Sequence, residues 1–226
     1  MATYVTVHGA WDGAWCWRPV AQRLQAAGQE VFTCTLTGSG ERAHLASPSV
    51  DLLTHVEDVV NVLRYEDLRG VVLVGHSYGG MVVTGVAERV PERIARLVYL
   101  DAFMPEDGQR LADLFPPAVV AWLEERARTV GDGWRIPHDP PDADRRTAFP
   151  LAAARQPLAV RNPAAARLPR TYIACLESRG VPLFAHFEAA AARAQREGWV
   201  YRELPTGHVP MQTMPNELAA LLLTLA

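Results

Sequence analysis

Short apolar runs recur along the whole chain. Between them lie longer stretches in which apolar and polar residues are mixed. Several of these runs are rich in β-branched residues and are bounded by glycine or proline, which is typical of strands buried on both faces. Six strands are predicted: Tyr4–Val7, Val31–Cys34, Val71–Val74, Leu97–Leu100, Thr171–Cys175 and Trp199–Leu204.

Helical patterns occupy the intervals between these runs. The clearest is an apolar stripe from Leu52 to Leu63, whose members recur three or four positions apart. Strands that alternate with helices indicate a mainly parallel sheet with helices on both faces, the α/β class. Further helices are predicted over Pro19–Leu24, over Met81–Val90 and from Pro215 to Leu222.

The alternation stops between Phe103 and Arg170, where the chain carries many prolines and a strong helical pattern over Ala118–Val130. A structureless loop of this length is uncommon inside a compact domain. We therefore predict a mostly helical lid insertion at residues 105–169. The α/β core would consist of residues 1–104 and 170–226.

Composition narrows the class of protein. The 226 residues are 49% hydrophobic, enough for one sizeable core, and the net charge of −3 comes without a dense Lys/Arg block. No apolar run approaches the roughly 18 residues of a membrane span, and the first residues lack a secretory pattern. The three cysteines are too few and too scattered for a disulfide framework or a zinc site. We expect a cytoplasmic protein without metal or cofactor, acting on a small molecule rather than on nucleic acid or membrane. The oligomeric state stays open.

A candidate nucleophile follows the third predicted strand. Residues 71–80 read VVLVGHSYGG, and Gly75 to Gly79 form a G-x-S-x-G pattern centred on Ser77. With a strand before it and a helix after it, this pattern predicts the strained nucleophile elbow of the α/β-hydrolase fold. The flanking glycines would let neighbouring backbone approach closely, and the helix start would direct N–H groups toward a developing oxyanion.

Two further segments supply the other groups that such a serine needs. His8-Gly9-Ala10-Trp11 follows the first strand, so its turn predicts one backbone oxyanion donor at Ala10, with Tyr78 N–H as the other. His208 follows the last predicted strand. A neutral imidazole there would accept the serine proton near pH 7.

The acid that orients the base has two candidates. Asp101 ends the fourth predicted strand, where a buried carboxylate is costly unless it is paired, and Glu177 lies just after the fifth. We favour Asp101 and keep Glu177 as the alternative. Candidate substrate-binding residues near this edge are Trp11, Phe103, Met104 and Leu114, although ordinary core packing would explain the same apolar residues.

These motifs resemble those of the α/β-hydrolase superfamily and, more narrowly, the plant methylesterase and hydroxynitrile lyase family with its bacterial relatives. The resemblance rests on VTVHGAWDGAWCW, VGHSYGG, LVYLDAFMP and TGHVPM, spans nearly the whole chain and is weakest over residues 106–168. It implies a six-stranded core, Ser77 as nucleophile and His208 as base. The family aspartate aligns with Ser178 here, whereas Asp101 matches the place of the acid in some haloalkane dehalogenases of the superfamily.

The same resemblance separates esterases from lyases at two positions. One lyase branch has a threonine where this chain has Gly9 and a lysine where it has Val209. The chain therefore follows the esterase pattern. We expect a serine hydrolase that cleaves a small, largely apolar carboxylic ester through an acyl-enzyme, with methyl esters as candidates. The alternatives are a biosynthetic thioesterase or cyclase with the same Ser-His dyad, a C–C lyase, and a non-enzymatic receptor for a small ligand.

Overall fold

The computed structural model describes residues 1–138, 145–180 and 184–226. A six-stranded sheet forms the centre of the molecule, with strand order β2-β1-β3-β4-β7-β8 and only parallel pairs. Its strands are β1 Thr3–Val7, β2 Glu30–Cys34, β3 Val71–His76, β4 Ile94–Leu100, β7 Arg170–Cys175 and β8 Val200–Leu204. All six predicted strands are present, within a few residues of the predicted ends.

Helices cover both faces of the sheet, as the alternating pattern predicts. The longer ones are α1 Arg18–Ala26, α2 Leu52–Tyr65, α3 Gly79–Arg89, α4 Pro117–Val130, α7 Ala185–Arg196 and α9 Pro215–Leu223, and the short α8 Pro210–Thr213 precedes α9. Helix α2 is capped by Asp51, whose Oδ1 accepts the Thr54 N–H at 2.8 Å. This cap satisfies one of the N–H groups that a helix start leaves without an intrahelical acceptor.

Two hydrophobic clusters show how the layers are packed. On one face, α2, α3 and α7 bury side chains such as Val56, Met81 and Phe187 against the sheet. On the other face, α1 and α9 pack Leu24 and Leu218 against the opposite sides of the same strands. Because β3 is buried along its whole length, it has no exposed face and reads as a continuous apolar run.

The predicted lid lies between β4 and β7 in the sequence and contains two short strands as well as helices. It contains α4, the short helices α5 Leu151–Arg155 and α6 Pro163–Ala166, and a two-stranded antiparallel pair of β5 Arg135–Ile136 and β6 Phe149–Pro150. Residues 139–144 of the predicted lid lie outside the described part of the chain. Strands of two residues have too short a pattern to be recognised in a sequence.

Candidate active site

The candidate catalytic residues lie at one edge of the sheet. Ala10 follows β1, Ser77 follows β3, Asp101 follows β4 and His208 follows β8. Because all six strands are parallel, their carboxyl ends meet at this edge, which is where open α/β sheets bind ligands.

Ser77 occupies a tight turn between β3 and α3. Its φ of 53° lies in the left-handed region, which is strained for a residue other than glycine. Its N–H donates to Leu100 O at 3.3 Å, and its carbonyl accepts the N–H of Phe103 at 3.1 Å. A side chain at Gly75 would meet Gly79 O at 2.5 Å, and one at Gly80 would meet Phe103 O at 2.2 Å. The glycines around the serine are therefore required by close backbone contacts.

His208 and Asp101 are hydrogen-bonded to each other beside this turn. Nδ1 of His208 lies 2.7 Å from Oδ2 of Asp101, and the side chains are 21% and 2% exposed. A carboxylate only accepts, so Nδ1–H donates and Nε2 is left as the proton-accepting nitrogen. This is the tautomer that a general base toward a serine hydroxyl needs.

Asp101 is held by its neighbours on β7. Its own N–H donates to Ile173 O at 2.8 Å, while Oδ1 accepts the Cys175 N–H at 3.2 Å. Ser178, at the position where the resembling family has its aspartate, donates its hydroxyl to Oδ2 at 3.3 Å. The φ of Asp101 is 41°, a left-handed conformation, so the backbone departs from the extended geometry of β4 at this residue. These contacts satisfy a carboxylate that would be costly to bury alone.

Glu177, the alternative acid, lies next to the loop that carries His208 but is not bonded to its ring. Its side chain is exposed, and its backbone N–H donates to Thr206 O at 3.1 Å. Among the described residues its carboxylate makes no hydrogen bond to His208, whose Nδ1 is already bound to Asp101. The neighbouring Arg179 pairs with Glu203 at 2.6 Å instead of with Glu177.

Both predicted oxyanion donors, Ala10 and Tyr78, line the same cavity as Ser77. Within the described ranges neither backbone N–H has a hydrogen-bond acceptor. His8 fixes the turn that carries Ala10: its Nδ1–H donates to Gly9 O at 2.8 Å, and its Nε2 accepts the Leu36 N–H at 3.1 Å. Burial lowers the pKa of His8 to about 4, so the ring is neutral at pH 7.

His76 connects the serine turn with the loop that carries the base. Its Nε2–H donates to His208 O at 2.7 Å, and the two rings lie 4.7 Å apart. Burial lowers the pKa of His76 well below its ordinary value, so it is a neutral donor. On the other side, Phe184 and Phe187 stack on the His208 ring at 5.1 and 4.8 Å. His208 is thereby held in place by a hydrogen bond and by aromatic packing.

A cavity of about 280 Å³ opens over these groups, and most of its wall is apolar or aromatic. Of the predicted substrate-binding residues, Trp11 and Phe103 line it. Met104 and Leu114 do not: Met104 is buried in the core, and Leu114 packs against the core at the end of a short 3-10 turn. Leu111, at the start of that turn, faces the cavity instead.

Several wall residues were not predicted. Phe115, Val119, Leu123 and Phe149 come from the predicted lid, whereas Phe184 caps the start of α7 and His186 and Phe187 lie in its first turn. The spacing of Val119 and Leu123, four apart on a predicted helix, is the one pattern that could have placed two of them on a common face. Asp12 and Arg146 add charged groups to this wall.

The described residues contain neither a metal centre nor a membrane-spanning helix. No group of three His, Cys, Asp or Glu side chains there could hold a metal ion. None of the helices within the described ranges is both long and apolar enough to cross a bilayer.

Residues 4–221 match the model of the alpha/beta hydrolase family, and the chain belongs to that family. The expected fold is thus confirmed by both the sheet and the family match.

The chain is also similar to proteins described as esterases. It is 40% identical over 240 residues to a carbendazim hydrolyzing esterase of Nocardioides sp. (strain SG-4G), with 97% of each chain covered. It is 34% identical over 114 residues to methylesterase 1 of Arabidopsis thaliana, which covers 46% of this chain and 40% of that protein. The resemblance to plant methylesterases is confirmed, although the chain spans less than half of the plant proteins.

Solved structures give the same relationship over the full length. An extracellular alpha/beta-hydrolase from a Paenibacillus species, described as sharing structural and functional homology with tobacco salicylic acid binding protein 2, superposes with a TM-score of 0.87 at 25% identity, covering 99% of this chain and 98% of that one. A methylesterase from Arabidopsis superposes with a TM-score of 0.72 at 26% identity, covering 100% of this chain and 98% of that one.

Proposed function

We propose that this protein is a serine esterase in which Ser77, His208 and Asp101 form the catalytic triad. The observation that carries the proposal is the 2.7 Å contact between His208 Nδ1 and Asp101 Oδ2, beside a cavity that Ser77 and His208 both line. Similarity to named esterases over the full length of one relative supports the same reaction class.

The proposed mechanism assigns each group one task. His208 Nε2 accepts the Ser77 proton as Oγ attacks the ester carbonyl, and Asp101 stabilises the imidazolium that forms. The N–H groups of Ala10 and Tyr78 would hold the oxyanion, each contributing about 2.7–4 kcal/mol by comparison with other such donors. His208 then returns the proton to the leaving alcohol, and water activated by the same base hydrolyses the acyl-enzyme.

The substrate class follows from the wall of the cavity. Trp11, Phe103, Phe115 and Phe149 surround the space next to Ser77, which suits a small ester with an aromatic or otherwise apolar acyl group. Because the relatives include methylesterases and a carbendazim hydrolyzing esterase, methyl esters and methyl carbamates of aromatic groups are the first substrates to test.

Residues 105–169 are proposed to act as the lid of this cavity. Leu111, Phe115, Val119 and Leu123 belong to that segment and form much of the wall above the sheet edge. Such a cover would exclude water from the carbonyl during acylation.

Steady-state hydrolysis of p-nitrophenyl acetate, p-nitrophenyl butyrate and carbendazim tests the proposal. The wild type should turn over at least one of these, Ser77→Ala should be inactive, and Ser49→Ala, at an exposed serine, should match the wild type. Equal rates for the wild type and Ser77→Ala would contradict the proposed nucleophile. A folded wild type that hydrolyses no ester in a broader methyl-ester panel would contradict the esterase.

A further inference from the structure

One carboxylate stands in the wall of this mostly aromatic cavity. Asp12 is only 4% exposed, yet it lines the space that Ser77 opens into. Trp11 fixes its position, because the Trp11 carbonyl accepts the Thr147 N–H at 2.8 Å and the indole N–H donates to Ile136 O at 2.8 Å. Asp12 is therefore held in a fixed position in the cavity wall, two residues after the proposed oxyanion donor Ala10.

Within the described part of the chain, one oxygen of the Asp12 carboxylate accepts a hydrogen bond and the other does not. Oδ1 accepts the Nε–H of Arg146 at 3.1 Å, and Arg146 Nη1 donates to His138 Nε2 at 2.9 Å. Oδ2 has no hydrogen-bond donor among the described residues. Burial raises the pKa of Asp12, although the positive charge of Arg146 lowers it. The contact with Arg146 therefore does not fully compensate for the water that the carboxylate loses. An acceptor that lines a mostly apolar cavity in this state gains from a donor supplied by a ligand.

We propose that Asp12 Oδ2 binds an N–H or O–H group of the substrate, so that the enzyme selects heteroaromatic esters with a ring N–H beside the ester carbonyl. This inference rests on the proposed function. The aromatic groups needed for the ring are close by, since Phe149 lies 6.0 Å from Trp11 and 4.7 Å from Tyr78 between ring centroids. The donor end would meet Asp12, and the ring would pack on the aromatic wall.

An isosteric change gives the proposal a directional test. In Asp12→Asn, Arg146 Nε–H still requires an acceptor, so the amide oxygen should take the Oδ1 position. The amide NH₂ group would then replace Oδ2 and offer a donor to the cavity. A substrate with a ring N–H would meet a second donor and be disfavoured, whereas a substrate with a ring oxygen would be accepted.

The experiment compares methyl indole-2-carboxylate with methyl benzofuran-2-carboxylate, which differ in a ring N–H against a ring oxygen. We expect the wild type to favour the indole ester by about 10-fold to 100-fold in kcat/KM, the range for one hydrogen bond to a charged group. Asp12→Asn should favour the benzofuran ester. Asp113→Asn, which removes an exposed carboxylate outside the cavity, should keep the wild-type ratio.

Binding to Ser77→Ala by calorimetry separates this inference from the proposed esterase. If the wild type hydrolyses neither ester but Ser77→Ala binds the indole ester more tightly, the esterase proposal fails and the Asp12 site stands. If the two esters bind and react equally with unmutated Asp12, the inference is overturned without any variant. An equal loss for both esters in Asp12→Asn would likewise overturn it, because that pattern indicates a structural role only.

Discussion

The two ends of the cavity are built in different ways. At the reaction end, Ser77, Asp101 and His208 each follow a parallel strand, and the sheet fixes their positions through backbone bonds such as Asp101 N–H to Ile173 O. At the binding end, Phe115, Phe149 and other wall residues come from outside the six-stranded sheet and pack through their side chains. In the proposed mechanism the reaction end carries the chemistry, and the binding end determines which ester enters.

This difference predicts separable effects. Changes at the reaction end should lower kcat, because they alter groups that act on the transition state. Changes at the binding end should raise KM, because they remove contacts that the substrate and the transition state share.

The largest effect is expected at Asp101. Asp101→Asn should lower kcat by about 10⁴, the loss seen when a triad acid no longer fixes the histidine tautomer. Glu177→Gln should stay within a few-fold of the wild type, since that side chain is exposed and His208 Nδ1 is bound to Asp101 instead. Steady-state kinetics on p-nitrophenyl acetate measure both. A large loss in Glu177→Gln with an active Asp101→Asn would reverse the proposed roles.

Transferring the carboxylate from position 101 to position 178 gives a second test of the acid. Ser178 Oγ lies 3.3 Å from Asp101 Oδ2, so a carboxylate at position 178 would have its oxygens near the same nitrogen of His208. The double variant Asp101→Ala/Ser178→Asp should recover about 100-fold of the activity lost in Asp101→Ala, taken as part of the roughly 10⁴ contribution of the acid. No recovery in a folded double variant would show that the Asp101 position itself is required.

Protonation of His8 should destabilise the turn that carries Ala10. The unfolded chain binds this proton below about pH 6.5, whereas the folded protein does so only at about pH 4. The free energy of unfolding should therefore fall as the pH is lowered from 6.5 to 4, with His8 contributing about 3 kcal/mol at the low end. Urea unfolding at several pH values measures this, and His8→Gln should show a flatter dependence. An unchanged slope in His8→Gln would contradict it.

His76 should act on the base through position alone. His76→Phe keeps a ring but removes the hydrogen bond to His208 O, and kcat should fall about 10-fold, the equivalent of one hydrogen bond, with KM little changed. His76→Gln, which carries an N–H donor at nearly the same reach, should restore most of the loss. Equal losses in both variants would indicate a packing role instead.

The smallest effect is expected at the binding end. Phe115 packs on Phe103 at 5.1 Å between ring centroids, and both line the cavity. Phe115→Ala should raise KM about 5-fold for an aromatic ester, in line with the roughly 1 kcal/mol of an aromatic contact, and should leave kcat nearly unchanged. A fall in kcat with constant KM would remove the distinction between the two ends.

The contrast also explains what the sequence could predict. The strands and the positions of Ser77 and His208 are readable, because apolar runs and the G-x-S-x-G turn are local patterns. The contacts of Asp101 are not local. They depend on the pairing of Leu100 with Ile173 and on a left-handed φ, neither of which is visible in the residues alone.

The wall was harder to predict for a related reason. Which residue of a short 3-10 turn faces the cavity depends on how the turn packs, so Leu111 lines the wall where Leu114 was expected. Asp12 and Arg146 are 134 positions apart, and their contact arises only when the predicted lid folds over the sheet edge. No periodicity in the sequence links them.

The most direct test is intact-protein mass spectrometry after rapid acid quench with p-nitrophenyl acetate. An acyl-enzyme mechanism predicts a transient adduct of one acetyl group per chain, which peptide mapping should locate on Ser77. The adduct should accumulate further in Asp101→Asn if deacylation slows more than acylation. It should be absent in Ser77→Ala. Turnover without any adduct in the wild type, or an adduct that persists in Ser77→Ala, would contradict the proposed acyl-enzyme mechanism.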